Sequence, residues 1–109
     1  MADLATEGFY LLNRVGRFLY LNAQAHAQMG GYTMEELLQL TACDISPDLT
    51  PEAFATSVEA LAHGPMPRIE SRTQRQDGSF FPAEVSSARL EGDGEIYLFG
   101  VARDVTERS

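Results

Sequence analysis

Arg75-Gln76-Asp77-Gly78-Ser79-Phe80-Phe81-Pro82-Ala83-Glu84-Val85 sets a turn dipeptide between two segments of strand character. Asp-Gly tolerates the positive φ angles of a primed two-residue turn, and such a turn fixes the register of the strands it joins. From residue 68 onward the pattern has a period of two, as half-buried strands require. Segments 68–75, 80–90 and 95–105 therefore read as three strands, with Gly92-Asp93-Gly94 as the second turn. In the middle strand Phe81, Ala83, Val85 and Ser87 share one face, which is predicted to point inward. In the last strand Ile96, Leu98 and Ala102 oppose Tyr97, Phe99 and Val101, and the pattern leaves open which set faces outward.

Upstream, two short apolar runs at 9–12 and 18–21 flank Asn13-Arg14-Val15-Gly16-Arg17 and predict a first hairpin. Asn22 then stands at a helix-cap position before the alanine-rich segment 23–29, which Gly30-Gly31 stops. Thr33-Met34-Glu35-Glu36 is a capping box that opens a second short helix carrying Leu37, Leu38 and Leu40. Asp44-Ile45-Ser46-Pro47 predicts a turn, and Thr50-Pro51-Glu52 starts another helix, with proline where its missing N–H costs nothing. Phe54, Val58, Leu61 and Ala62 form its apolar stripe, and Gly64-Pro65 ends it. The order predicts an α+β fold: one five-stranded antiparallel sheet with three or four short helices on a single face.

The chain has 109 residues, enough for one domain and one core. Its 16 acidic residues outweigh 8 basic ones, all of them Arg, for a net charge of −8. The arginines are dispersed from Arg14 to Arg108, so no basic stripe exists to attract a phosphate backbone, and nucleic acid is not expected as a partner. No apolar run is long enough to span a bilayer, and Met1-Ala2-Asp3 does not begin a signal peptide. A cytoplasmic location is the expectation. The single Cys43 cannot form an internal disulfide, and no Cys/His cluster has zinc spacing, so no metal site is predicted. Catalytic residues are predicted to be absent. Glu35-Glu36 suits the first turn of a helix, Glu91 and Glu95 suit a solvated hairpin, and no nucleophile triad or phosphate loop is visible.

From Gly8 to Arg108 the chain resembles the PAS sensory domains of bacterial signalling proteins. The resemblance rests on Gly16-Arg17-Phe18-Leu19-Tyr20-Leu21-Asn22 followed by Ala23 and Ala25, and on Gly31-Tyr32-Thr33-Met34-Glu35-Glu36-Leu37-Leu38. Further matches are Asp44-Ile45 with Pro47, Asp77-Gly78-Ser79 with Phe81-Pro82, and Arg103-Asp104-Val105-Thr106-Glu107-Arg108. It implies strand order 2-1-5-4-3, and a module that holds a ligand or dimerises and passes the change to an effector such as a histidine kinase or diguanylate cyclase. The sequence contains no such effector region. The domain is assigned to 1–109, with a core of about 7–105 and 104–109 opening an output linker. Asp104 and Thr106 are the predicted signal-output residues, since either can cap a following helix.

The resemblance also names candidate ligand-binding residues: Phe54, Val58, Leu61, Phe81, Val85, Ile96 and Leu98, with Thr41, Ser57, Ser71 and Ser87 as polar points. The same apolar set would serve as a packed core, which is the alternative reading: a constitutive protein–protein interaction module with no ligand. Haem-binding members use a histidine on the long helix, but His63 lies at the end of that helix and His26 on the alanine-rich one. Flavin-adduct members carry Asn-Cys-Arg-Phe-Leu-Gln where this chain has Thr41-Ala42-Cys43-Asp44-Ile45-Ser46, without the Arg and Gln. Both cofactors are disfavoured, and Cys43 is predicted to be a small buried side chain. The expected partners are a small-molecule ligand, a second copy of the chain in a homodimer, and a covalently linked effector.

Overall fold

In the computed structural model, which describes residues 7–64 and 66–106, five strands form one antiparallel sheet. In chain order the elements are β1 (Glu7–Asn13), β2 (Phe18–Leu21), α1 (Ala23–Met29), α2 (Met34–Leu37), α3 (Ala42–Ile45) and α4 (Pro51–Ala60). A 3-10 turn over Leu61–His63, β3 (Met66–Gln74), β4 (Phe80–Gly92) and β5 (Glu95–Asp104) follow. The strand order is β2-β1-β5-β4-β3, so the first and last strands pair at the centre and all four α-helices lie in the connection from β2 to β3.

Local chemistry explains the helix starts. Asn22 Oδ1 accepts from the N–H of Ala25 at 2.8 Å and of Phe9 at 3.0 Å, so one side chain caps α1 and ties it to β1. Thr33 and Glu36 close the predicted capping box reciprocally, through Glu36 N–H to Thr33 Oγ1 at 3.1 Å and Thr33 N–H to Glu36 Oε1 at 2.8 Å. Thr50 caps α4 through Ala53 N–H at 3.0 Å, with Pro51 in the first turn.

Three expectations need correction. The helix opened by Thr33 ends at Leu37, leaving Leu38 as its cap and Leu40 beyond it. The turn expected at Asp44-Ile45 is instead the helix α3, because Asp44 reaches back to the N–H of Thr41 at 2.8 Å and completes a second capping box. The primed turn is also elsewhere. At Asp93-Gly94 both φ angles are positive, 52° and 77°, between the directly paired Gly92 and Glu95. At Asp77-Gly78 only Gly78 is positive, at 91°. Asp77 Oδ1 accepts from Ser79 N–H at 2.8 Å and from its hydroxyl at 2.6 Å, which holds Asp77 at negative φ and makes residues 75–79 a wider loop. Pro65 and residues 107–109, and with them the helix-stopping proline and half of the expected linker, lie outside the described residues, as does the N-terminal segment 1–6.

The inner sheet face carries three aligned rows: Gly8–Ala102–Val85–Ile69, Tyr10–Gly100–Ser87 and Leu12–Leu98–Arg89. Over the β1–β2 end, α1 lies so close that a Cβ on Gly8 would come 2.8 Å from the Ala25 Cα. Leu12, Phe18, Leu21, Ala25, Met29 and Leu37 form a tight core there. Among the described residues no helix covers the outer face. Phe99 belongs to that face, stacked on Phe9 with ring centroids 6.0 Å apart, while Leu98 and Ala102 are buried inside.

Candidate functional site

A cavity of about 310 Å³ lies between the other end of the sheet and the α3–α4 region. Its floor is Tyr10 and Leu12 from β1, Leu98 from β5, Val85 and Ser87 from β4, and Ile69 and Ser71 from β3. Its roof is Ala42 from α3, the segment Ser46, Asp48 and Leu49, then Phe54 and Ser57 from α4 and Leu61 from the 3-10 turn. The alternation of β4 puts Val85 and Ser87 on the floor, and the three-residue helical spacing brings Phe54 and Ser57 to one side of α4.

Of the predicted ligand-binding residues, Phe54, Leu61, Val85 and Leu98 line this space, as do the polar Ser57, Ser71 and Ser87. Val58, Phe81 and Ile96 do not. Val58 is buried in the core beside Phe54, one helical turn along. Phe81 is buried at the far end of β4, where the Arg75 guanidinium sits 4.5 Å from its ring centroid. Ile96 stands near the β4–β5 turn, paired with Glu91 and packed against the edge of the core. Thr41 is the cap of α3 and bridges Arg17.

Reasoning from sequence passed over Tyr10, Leu12, Ala42, Ser46, Asp48, Leu49 and Ile69. Tyr10 had a signal: strand parity sets it on the Leu12 face, opposite a glycine. A Cβ at Gly100 would lie 2.3 Å from the Tyr10 Cζ, so the phenol lies across the sheet over that glycine, aligned with Ser87 beyond it. Phe18 packs edge-on against the ring at 5.8 Å. Burial pushes the Tyr10 hydroxyl up to about 12, and like any tyrosine it is protonated at neutral pH and able to donate a hydrogen bond.

Phe54, Leu61, Leu12 and Leu98 in the lining belong to the buried core, and polar links add to their contacts at the cavity's edge. Arg89 Nη1 donates to the Val58 carbonyl at 3.0 Å, satisfying one of the orphan acceptors at the end of α4 where positive charge also suits the helix dipole. At the β3 edge, Arg72 makes two hydrogen bonds to Asp48, at 3.1 and 3.0 Å. Those bonds hold the Asp48 carboxyl below its usual range, chiefly through the hydrogen bond itself. Ile69, 48% exposed, marks the opening beside this pair.

His26, His63 and Cys43 do not line the cavity. His26 Nε2 lies 2.7 Å from the Tyr32 carbonyl oxygen, and exposed His63 ends the 3-10 turn. Cys43 packs partly buried against the core, its thiol pushed up by burial and then by Asp44 and Glu52. Among the described residues no group of three His, Cys, Asp or Glu side chains could hold a metal ion, and no helix is long and apolar enough to cross a membrane.

At the C-terminal end of β5, Asp104 Oδ1 accepts from the Thr106 N–H at 3.0 Å, a local turn-type bond two residues along the chain. Its other oxygen lies 3.7 Å from Arg75, in the loop that joins β3 to β4. The predicted output residues are thus connected to the hairpin that supplies the cavity floor.

A fold-family model described as PAS fold matches residues 3–109. Among solved structures, a PAS domain from a two-component sensor histidine kinase is similar at 25% identity and TM-score 0.76, over 91% of this chain and 85% of that one. A domain of a sensory box sensor histidine kinase/response regulator from Geobacter sulfurreducens is similar at 27% identity and TM-score 0.76, over 94% and 86%. A PAS domain from Colwellia psychrerythraea shares the fold at TM-score 0.78 with 18% identity, over 94% and 89%. No curated protein matches the chain. With the family model spanning nearly every residue and the strand order shared, the chain belongs to the PAS-fold family.

Proposed function

We propose that this PAS domain is a cytoplasmic signal-sensing module that admits a small molecule between α4 and the sheet and relays its presence to a covalently linked effector of the histidine kinase or diguanylate cyclase type. The observation that carries the reading is the cavity itself: an apolar space with a few hydroxyls, the composition of a ligand site rather than of a filled core. Relay follows from connectivity. A molecule on the β3–β4 floor that favours one position of that hairpin biases Arg75, and through it Asp104 and Thr106 at the start of the linker. The domain carries out no reaction of its own in this account.

Melting the protein against a library of metabolites tests the reading. A ligand at a hundred times its dissociation constant adds about 2.7 kcal/mol. For a domain of this size that raises the melting temperature by roughly 10–20 °C. A broad library that moves the melt nowhere defeats the sensory reading. Absorbance of the purified protein across the visible range checks haem and flavin separately.

One observation favours a second role, self-association through the bare sheet face. Phe99 and Leu90 are exposed there at 38% and 48%, continuous with Tyr20 at 56%. If two copies meet on this face, Phe99→Arg yields folded monomers, read by sedimentation and circular dichroism, with a melt lowered by the lost Phe9 stack and the lost association; an unchanged oligomer removes the face from the assembly.

A further inference from the structure

The cavity's charge and its unpartnered hydroxyls constrain what can occupy it. Among the described residues no Arg or His lines it, and the two guanidiniums at its perimeter are already engaged: Arg72 with Asp48 through two hydrogen bonds, and Arg89 with the Val58 carbonyl and, at 3.7 Å, the Glu91 carboxylate. A ligand carboxylate or phosphate would be taken out of water with no cation to meet it. Asp48, the one carboxylate among the described lining residues, stands exposed at the rim with its charge already matched by Arg72, so a ligand cation gains little there either.

The hydroxyls differ in their state. Ser57 donates to the Ala53 carbonyl at 3.1 Å and so is satisfied within its own helix. Tyr10, Ser71 and Ser87 on the floor have no side-chain hydrogen bond to any described residue. A Cβ at Gly100 would be 2.6 Å from Tyr10 Oη, which fixes the hydroxyl end of the phenol over the middle of the sheet, with Ser87 next in the same row. A volume of about 310 Å³ is at the small end of ligand pockets, suited to one ring or a short chain.

We infer that the cavity takes an uncharged, mainly apolar molecule of single-ring size carrying a hydrogen-bond acceptor, which the Tyr10 hydroxyl engages with Ser87 beside it. The inference rests on the sensory reading above. Tyr10 is here a specificity-determining residue: it selects an acceptor over an all-hydrocarbon ligand, while the absence of cations in the lining rejects anions.

Four matched probes test it on the 109-residue protein: acetophenone, ethylbenzene, benzoate and benzylammonium, titrated by calorimetry and by amide chemical shifts. Acetophenone is expected to bind about tenfold more tightly than ethylbenzene, as one net hydrogen bond provides, and more tightly than either ion. In Tyr10→Phe that preference over ethylbenzene disappears, while ethylbenzene affinity and the melting temperature stay as they were. Benzoate or benzylammonium binding as tightly as acetophenone overturns the ligand class, as does a full preference surviving in Tyr10→Phe. Ser87→Leu, which fills the floor, separates the two claims. If it abolishes binding of whichever probes the native protein takes, the cavity reading stands even where the ligand class has failed. If binding survives it, or no probe binds the native protein at millimolar concentration, both fall.

Discussion

The two ends of the inner sheet face are built on opposite plans. Over β1 and β2, α1 rests directly on the backbone, with Gly8 against Ala25 and Leu37 fully buried nearby. Over β3 and β4, α4 is held through Arg89 and the preceding segment through Asp48 and Arg72, and an open space of about 310 Å³ remains between. One end gains stability from close packing. The other gives some up, since each void forfeits dispersion contacts, and what it gains is room for a guest. The two plans share one apolar core, since Leu12, Phe54, Leu61 and Leu98 line the cavity and belong to the same buried cluster as Leu37, while Arg89 and Arg72 add polar ties from roof to strands at the cavity's edge.

Mutations can break that contrast in order of size. Leu37→Ala in the packed end should cost about 2–5 kcal/mol, read by urea unfolding. A small effect there would mean that the packed end is not the stable half. Gly100→Ala must displace the Tyr10 ring and should cost about 1–3 kcal/mol while weakening any cavity ligand. A neutral result would show that the phenol has other places to rest. Arg89→Met removes the strut to the Val58 carbonyl for about 1–2 kcal/mol, and hydrogen exchange should quicken at the end of α4 before it does in α1. Uniform change across both helices would argue against a local strut.

The smallest effect concerns the Asp48–Arg72 pair, which is solvent-exposed and screened. Asp48 is depressed in the folded protein, so its contribution is present above the unfolded carboxylate value of ~3.9 and is lost as pH falls through the lower folded value. Ligand exchange at the cavity mouth should therefore accelerate in acid below that range, and Asp48→Asn should show the faster exchange already at neutral pH. Identical exchange rates in both would remove the pair from the entrance.

Much of the fold could be read in the sequence because local signals agreed with the tertiary outcome. Thr33 with Glu36, Thr50 with Pro51, and the period-two run through Phe81, Ala83 and Val85 each determine their own element. Thr41 with Asp44 was equally legible in kind, yet Pro47 nearby favoured a turn. The two Asp-Gly pairs were indistinguishable as dipeptides. What separates them is Ser79, whose N–H and hydroxyl recruit the Asp77 carboxylate. The site was less legible. Val58 and Phe81 have the periodicity of Phe54 and Val85, and only the stand-off of α4 decides which of them meets open space. Tyr10 depended on the β1–β5 pairing with Gly100, a contact between residues ninety positions apart that no local pattern records.

The most direct test maps where a neutral probe goes. Acetophenone titrated into isotopically labelled protein should shift the amides of Ser71, Val85, Ser87 and Leu98 together with Ser57 on α4, and a nuclear Overhauser contact should connect its ring to Tyr10. Shifts confined to Phe99, Leu90 and Tyr20 on the bare face, with the floor and roof residues unmoved, would contradict the account.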